Sequence, residues 1–177
     1  ALVKSLNVPT VKIIEDIGVP YAADYAKRLG VFSPLNMDFT LALGSSGVTL
    51  YEMTKVFSEF GRLGKRTRPV IIHKVEDASG TKLMNQVSLD TRYANELGEQ
   101  DKQFEERRIA YLEGLETTPA ENNEAPSDVV VDPKTNKKIE PHIFFQNPDQ
   151  LIRPQTAYLI TSLLKAVVED KNGTGGR

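Results

Sequence analysis

From Val48 to Val75 the chain reads VTLYEMTKVFSEFGRLGKRTRPVIIHKV, and the change of pattern inside this stretch decides the fold class. Thr49 is placed to cap the Glu52 N–H while the Glu52 side chain reaches back to Thr49, and Val48 can pack against Met53 as a hydrophobic staple. A helix is therefore expected over 50–60. Gly61 and Gly64 follow, with the cations Arg62, Lys65, Arg66 and Arg68 around them. Pro69-Val70-Ile71-Ile72-His73-Lys74-Val75 is then a β-branched run suited to a strand. Asp77-Ala78-Ser79-Gly80 reads as a turn and Thr81-Lys82-Leu83-Met84 as the return, so 69–85 is expected to form a β-hairpin. Helices interrupted by one or two hairpins put the chain in the α/β (α+β) class.

Upstream, Pro9 and Gly18 bracket a helix with Val8, Val11, Ile14 and Ile17 on one stripe. Pro20 opens a second helix lined by Tyr21, Ala22, Tyr25, Ala26 and Leu29, and Gly30 stands where a left-handed cap suits a residue without Cβ. No period holds from Val31 to Ser46. A long ordered loop is expected there, pinned by the recurring Phe32, Leu35, Met37, Phe39, Leu41 and Leu43. Downstream, residues 91–126 are dominated by Glu and Asp, and a broken stripe of Tyr93, Leu97, Phe104, Ile109, Leu112 and Leu115 predicts a surface helix running into a solvated linker from Thr117 to Pro126. Val129–Val131 and Lys137–Ile139 flank turn residues and predict a second small hairpin. Pro154 begins a last helix with Ala157, Ile160, Leu164, Val167 and Val168 on one side, ended by Asn172-Gly173-Thr174-Gly175-Gly176.

The 177 residues are 40% hydrophobic and 7% aromatic, enough for one core and hardly for two. Lys and Arg number 22 against 24 Asp and Glu, so a broad basic surface for nucleic acid is absent. With no cysteine there is no disulfide, thiolate metal site or thiol nucleophile. No run reaches the roughly 18 to 20 apolar residues of a membrane span. The start Ala1-Leu2-Val3-Lys4 has neither a basic n-region nor a cleavage pattern, and reads as if mid-domain.

A cysteine-free chain with two histidines directs the search for a nucleophile to Ser-x-x-Lys, in which one helical turn sets an amine beside a hydroxyl. Ser162–Lys165 and Ser79–Lys82 match. Nine serines and thirteen lysines make roughly one such match expected by chance, so neither is informative alone. Ser5-Leu6-Asn7 matches Ser-x-Asn, a loop tripeptide that sets a proton-relaying hydroxyl beside a hydrogen-bonding carboxamide. Its plain reading is structural: Asn7 or Ser5 capping the helix that Pro9 begins.

Taken in order, Ser5-Leu-Asn-Val-Pro-Thr-Val-Lys-Ile, Tyr25-Ala-Lys-Arg-Leu-Gly30, Leu41-Ala-Leu-Gly44 leading into Val48–Met53, Arg68-Pro-Val-Ile-Ile, and Ala157-Tyr158 through Val167-Val168 to Gly173-Thr174-Gly175 resemble the transpeptidase domain of class A penicillin-binding proteins. The match covers about 1–85 and 151–177, and 86–150 reads as an insertion. The resemblance implies part of the β-lactamase/transpeptidase-like fold, mainly its helical lobe. In that family a Ser-x-x-Lys serine is acylated by the D-Ala-D-Ala end of a peptidoglycan stem peptide, and a Lys-Thr-Gly strand forms one wall of the cleft. The Ser-x-Asn loop forms the other. By resemblance Ser5 takes part in proton transfer as a catalytic residue and Asn7 holds the substrate amide. The family places its nucleophile upstream of Ser-x-Asn and Lys-Thr-Gly after the Gly-Thr-Gly turn, and the 177 residues contain neither. The chain is thus expected to be an internal fragment, inactive alone, with Ser79 and Ser162 away from the chemistry.

Stem peptides and β-lactams are the implied partners of the whole protein, together with possible cell-wall assembly proteins. Its implied place is the periplasmic face of the bacterial inner membrane, held by a segment outside these residues, with a glycosyltransferase domain upstream. No cofactor is implied, and His73 and His142 share no metal-ligand spacing. Gly173–Gly176 follows a helix rather than a strand, so a cap and turn is expected rather than a phosphate loop. Arg62, Lys65, Arg66 and Arg68 read as solvated cations or as a site for an anionic partner, and the acidic stretch 91–126 as a charged surface excursion or a docking element. The competing function is a noncatalytic interaction module that keeps a transpeptidase-like helical lobe.

Overall fold

A computed structural model describes residues 2–117, 130–131, 138–139 and 144–176. The first two helices, α1 (Asn7–Ile17) and α2 (Val19–Arg28), lie on either side of Gly18, whose N–H donates to the Ile14 carbonyl. α1 begins two residues before Pro9, because the first-turn N–H groups of a helix have no intrahelical partner and a proline there forfeits nothing. α2 closes with Val31 N–H donating to Ala26 O at 3.1 Å and Gly30 N–H to Lys27 O at 2.8 Å. This double bond needs a left-handed residue, and Gly30, at φ 88°, supplies it.

The loop to the next helix contains one short 3₁₀ turn, Phe39–Leu43, against which α1 packs. The expected apolar pinning holds in part: Phe32, Leu35 and Leu41 are half-buried, with the Phe32 ring centre 4.2 Å from that of Tyr93, while Met37, Phe39 and Leu43 are exposed. The loop is held by hydrogen bonds, with Phe32 and Ser33 N–H groups donating to Glu52 Oε1 and Asn36 N–H to Ser46 Oγ. α3 (Leu50–Gly61) starts at the expected capping box, both halves of which are formed.

The first hairpin pairs β1 (Ile72–Glu76) with β2 (Lys82–Val87) in antiparallel register, Ile72 opposite Val87 and Val75 opposite Met84. Its turn is drawn together by Asp77 Oδ1, which accepts from the Ser79 and Thr81 N–H groups at 2.9 Å. α4 (Ala94–Thr117) crosses α2, and β3 (Val130–Val131) pairs with β4 (Lys138–Ile139) where the second hairpin was expected. α5 (Pro154–Glu169) packs along α3. The architecture is mixed helix and small antiparallel sheet, consistent with the α+β class. Among the described residues no helix is long and apolar enough to cross a membrane.

The core forms where the end of α2, the segment 151–152 and the start of α5 meet. Leu29, Leu151, Ile152 and Ala157 are buried there, with Tyr25, Val56 and Phe60 packed against them. Gly64 lets the 149–152 segment approach: at φ 80° it accepts from Leu151 N–H at 2.8 Å, and a Cβ on it would lie 2.3 Å from Ile152 O. Of the stripe expected on α5, Ala157 is fully buried, Ile160, Leu164 and Val167 are half-buried, and Val168 is exposed.

Candidate functional site

Ser5 and Asn7 stand at the entry to α1, both exposed. The N-cap falls on Leu6, which has no side-chain acceptor, so the capping role expected of Ser5 or Asn7 is not taken by either. The reason is the early start of the helix, which puts Asn7 inside its first turn. Ser5 occupies left-handed backbone at φ 50°, a conformation that L side chains adopt at a cost of roughly 1 kcal/mol or more and that recurs at functional loops. Both side chains are thus presented outward on a short, bent segment.

The most strongly charged interior lies elsewhere. Glu52, Lys55 and Glu59 recur at helical spacing along one face of α3, and all three are buried, as is Arg28 of α2. The apolar Leu50, Met53 and Phe57 of the same helix face outward. Glu52 is the pin of the N-terminal half: its carboxylate accepts from the Phe32, Ser33 and Thr49 N–H groups and from the Ser33 and Thr49 hydroxyls. Burial pushes its carboxyl up, but these donors outweigh burial and bring it down to about 2. Asp90 gathers Lys55 Nζ at 3.3 Å and the Tyr51 hydroxyl, whose own proton is held up to about 12 by burial and by that hydrogen bond.

Glu59 differs from Glu52. Its Oε1 accepts from Thr67 N–H at 3.2 Å, while Oε2 is buried with no partner. Burial pushes this carboxyl up to about 7, against the pull of the Thr67 N–H and of Lys55, Arg66 and Arg62. It borders a cleft of about 270 Å³ between α2, α3 and α4, which Arg28, Lys55, Asp90 and Gln100 also line. Neither Ser5 nor Asn7 lines that cleft.

Three of the four cations after α3, expected to be solvated, are engaged with protein groups. Arg66 pairs with Asp101 of α4, Arg68 pairs with Asp149 at 2.8 Å, and Arg62 donates to Arg66 O at 3.0 Å. The acidic stretch is likewise more than a surface excursion. Leu97 and Phe104 of α4 are buried, and Arg107 grips Asp24 of α2 with both Nη atoms, at 3.2 and 3.0 Å. Among these only Glu52 had a local signal, the capping box. The spacing of Glu52, Lys55 and Glu59 was also readable, but charges on one helical face ordinarily mark a solvated side.

The two Ser-x-x-Lys matches do not line the cleft. Ser79 Oγ donates to Asp77 Oδ1 within the hairpin turn, and Ser162 is exposed on α5, where Lys165 lies 3.5 Å from Glu169. His73 is exposed on β1, and His142 lies outside the described residues. Among the described residues no three His, Asp or Glu side chains are grouped to hold a metal ion. After α5 the chain folds back on the helix: Gly175 N–H donates to Val167 O, and a Cβ on Gly173 would lie 2.3 Å from that oxygen. The helix ends at Glu169, before the glycines, which serve this close approach.

The chain is similar in sequence to penicillin-binding proteins 1A of several bacteria. It is 26% identical to penicillin-binding protein 1A of Pseudomonas aeruginosa over 182 aligned residues, which take in 100% of this chain and 20% of that protein. It is 33% identical to penicillin-binding protein 1A of Clostridium tetani over 54% of the chain, and 30% identical to that of Aquifex aeolicus over 49%. It spans between 12% and 20% of the length of these relatives. No protein-family model matches the chain.

Proposed function

We propose that these residues are part of a peptidoglycan D,D-transpeptidase domain, the helical lobe that carries its Ser-x-Asn motif. The observation that carries this reading is the similarity along the whole chain to a penicillin-binding protein 1A. The outward presentation of Ser5 and Asn7 at the bent entry to α1 supports it.

In this reading a serine supplied from outside these residues attacks the carbonyl carbon of the D-Ala-D-Ala bond. The terminal D-Ala leaves, and the acyl group passes to an amine of a neighbouring stem. Ser5 relays a proton between the attacking hydroxyl and the leaving amine, which is general acid–base work, and Asn7 holds the stem amide through its carboxamide. β-Lactams enter as mimics of that peptide. Residues 86–150 are an insertion in the domain, of which α4 packs against α2. The whole protein works at the periplasmic face of the inner membrane, anchored by another segment.

Labelling with a fluorescent penicillin, read on a denaturing gel, tests the proposal. The longer protein containing this chain is expected to label and the 177-residue chain alone is not. Ser5→Ala and Asn7→Ala in the longer protein are expected to slow acylation by about 100-fold or more, as loss of a proton-transfer or positioning group does. Labelling of the chain alone would move the nucleophile to Ser79 or Ser162. No labelling of either would favour the interaction module.

A further inference from the structure

The cleft between α2, α3 and α4 has no part in the transpeptidation chemistry assigned above. Three small residues open it: Gly30 at the end of α2, and Ala94 and Gly98 one turn apart on α4. Its volume of about 270 Å³ is several times the roughly 30 Å³ that one water occupies in the liquid. Three polar atoms of residues bordering it have no partner among the described residues: Glu59 Oε2, Gln100 Oε1 and Arg66 Nε. Two are acceptors when Glu59 is ionised, and one is a donor. Gln100 is oriented by its Nε2, which donates to Val31 O at 3.4 Å and leaves Oε1 unused.

Most of the charges around them are paired. Lys55 is paired with Asp90, Arg66 Nη1 with Asp101, and Arg68 with Asp149, while the Arg28 guanidinium lies 4.7 Å from the centre of the Phe144 ring. The wall therefore has no large surplus of either sign to attract a simple ion. It has unmatched acceptors and an unmatched donor, and buried groups of that kind call for a complementary partner.

We propose that this cleft binds a small zwitterion of the α-amino-acid class, whose ammonium donates to Glu59 Oε2 and Gln100 Oε1 and whose carboxylate accepts from Arg66 Nε. The proposal stands independently of the transpeptidase reading. Binding is coupled to a proton. Burial holds the Glu59 carboxyl at about 7. The groups facing it are Lys55 on its own helix, Arg62 and Arg66 beyond it, and Tyr25 on α2, with Arg28, Asp90 and Asp101 completing the charged wall. An ammonium on Oε2 favours the carboxylate, so binding near pH 7 releases a proton, whereas an inorganic anion in the same cleft would take one up.

Isothermal titration of the full chain with glycine, L-serine and L-glutamine tests this. It is run near pH 7 in two buffers of different ionisation enthalpy, with inorganic phosphate, acetate and methylamine as controls. Saturable binding of at least one amino acid with proton release is expected, with weaker binding of the single-charge controls. Glu59→Gln is expected to weaken that binding about tenfold or more and to abolish the proton release. Gln100→Leu, which keeps the titrating group, is expected to weaken binding and leave the release intact. The proposal is overturned if no amino acid saturates up to tens of millimolar, if phosphate binds with proton uptake and the amino acids do not bind, or if both variants bind as the parent does.

Discussion

Glu52 and Glu59 sit on the same face of one helix with the same side chain, yet their carboxyl groups move in opposite directions, to about 2 and about 7 from an ordinary 4.5. The difference is the number of donors each meets. Because Glu59 is harder to ionise in the folded chain than in the unfolded one, it costs no stability below pH 4.5, and its cost grows between pH 4.5 and 7. Above pH 7 that penalty is on the order of 3 kcal/mol. Glu59→Gln should therefore flatten the fall in stability across this window and be the more stable form at pH 8, as read by urea unfolding. Glu52 acts with the opposite sign: its contribution is present above pH 4.5 and is lost as pH falls toward 2. Glu52→Ala strands the Phe32, Ser33 and Thr49 N–H groups and should cost at least about 3 kcal/mol at pH 7. With both carboxyls intact, a pH series of unfolding curves should peak between pH 4 and 5, and a peak above pH 7 would contradict the burial of Glu59.

At the scale of elements, α4 is joined to α2 by a buried ring and by an exposed ion pair, two interactions of unequal worth. Phe104 is buried, and truncation of a buried phenylalanine costs about 3 to 5 kcal/mol. The Arg107–Asp24 pair is partly open to solvent, where such pairs contribute about 0 to 1 kcal/mol. Phe104→Ala should release α4, giving fast amide exchange from 94 to 117 while α3 and α5 stay protected. Arg107→Ala should leave that protection nearly unchanged. The start of α3 was readable from Thr49 and Glu52, because a capping box acts within one turn. Which face of α3 turns inward was not readable, since Leu50, Met53 and Phe57 keep a helical spacing just as Glu52, Lys55 and Glu59 do. The hairpin was predicted over 69–85 and spans 72–87: Pro69 has no N–H for the ladder, and pairing begins with Ile71 N–H donating to Val87 O.

Across the whole molecule, apolar residues lie outward in rows, Leu50, Met53 and Phe57 on α3 and Leu159 and Leu163 on α5. Apolar side chains aligned along a helix face in this way favour association where they meet a second such face. Sedimentation of the chain should show mass increasing with concentration. A paired Leu159→Glu and Leu163→Glu variant should shift it toward the monomer, and a strictly monomeric parent would count against these rows as contact surfaces. Ser5 and Asn7 could be proposed from sequence because the Ser-x-Asn motif is contiguous, and the Pro and Gly near the ends of α1 and α2 were readable because they act through neighbouring backbone. Sequence alone thus determined where the helices lie to within a few residues, the hairpin turn and the tripeptide at the entry to α1, all set by contacts within a few residues. Tertiary structure alone decided the inward turn of the charged face of α3, the pairing of Arg66 and Arg68, and the cleft that brings Glu59, Arg66 and Gln100 together. Those depend on which distant segments supply donors and countercharges to a buried group, and no local spacing encodes that.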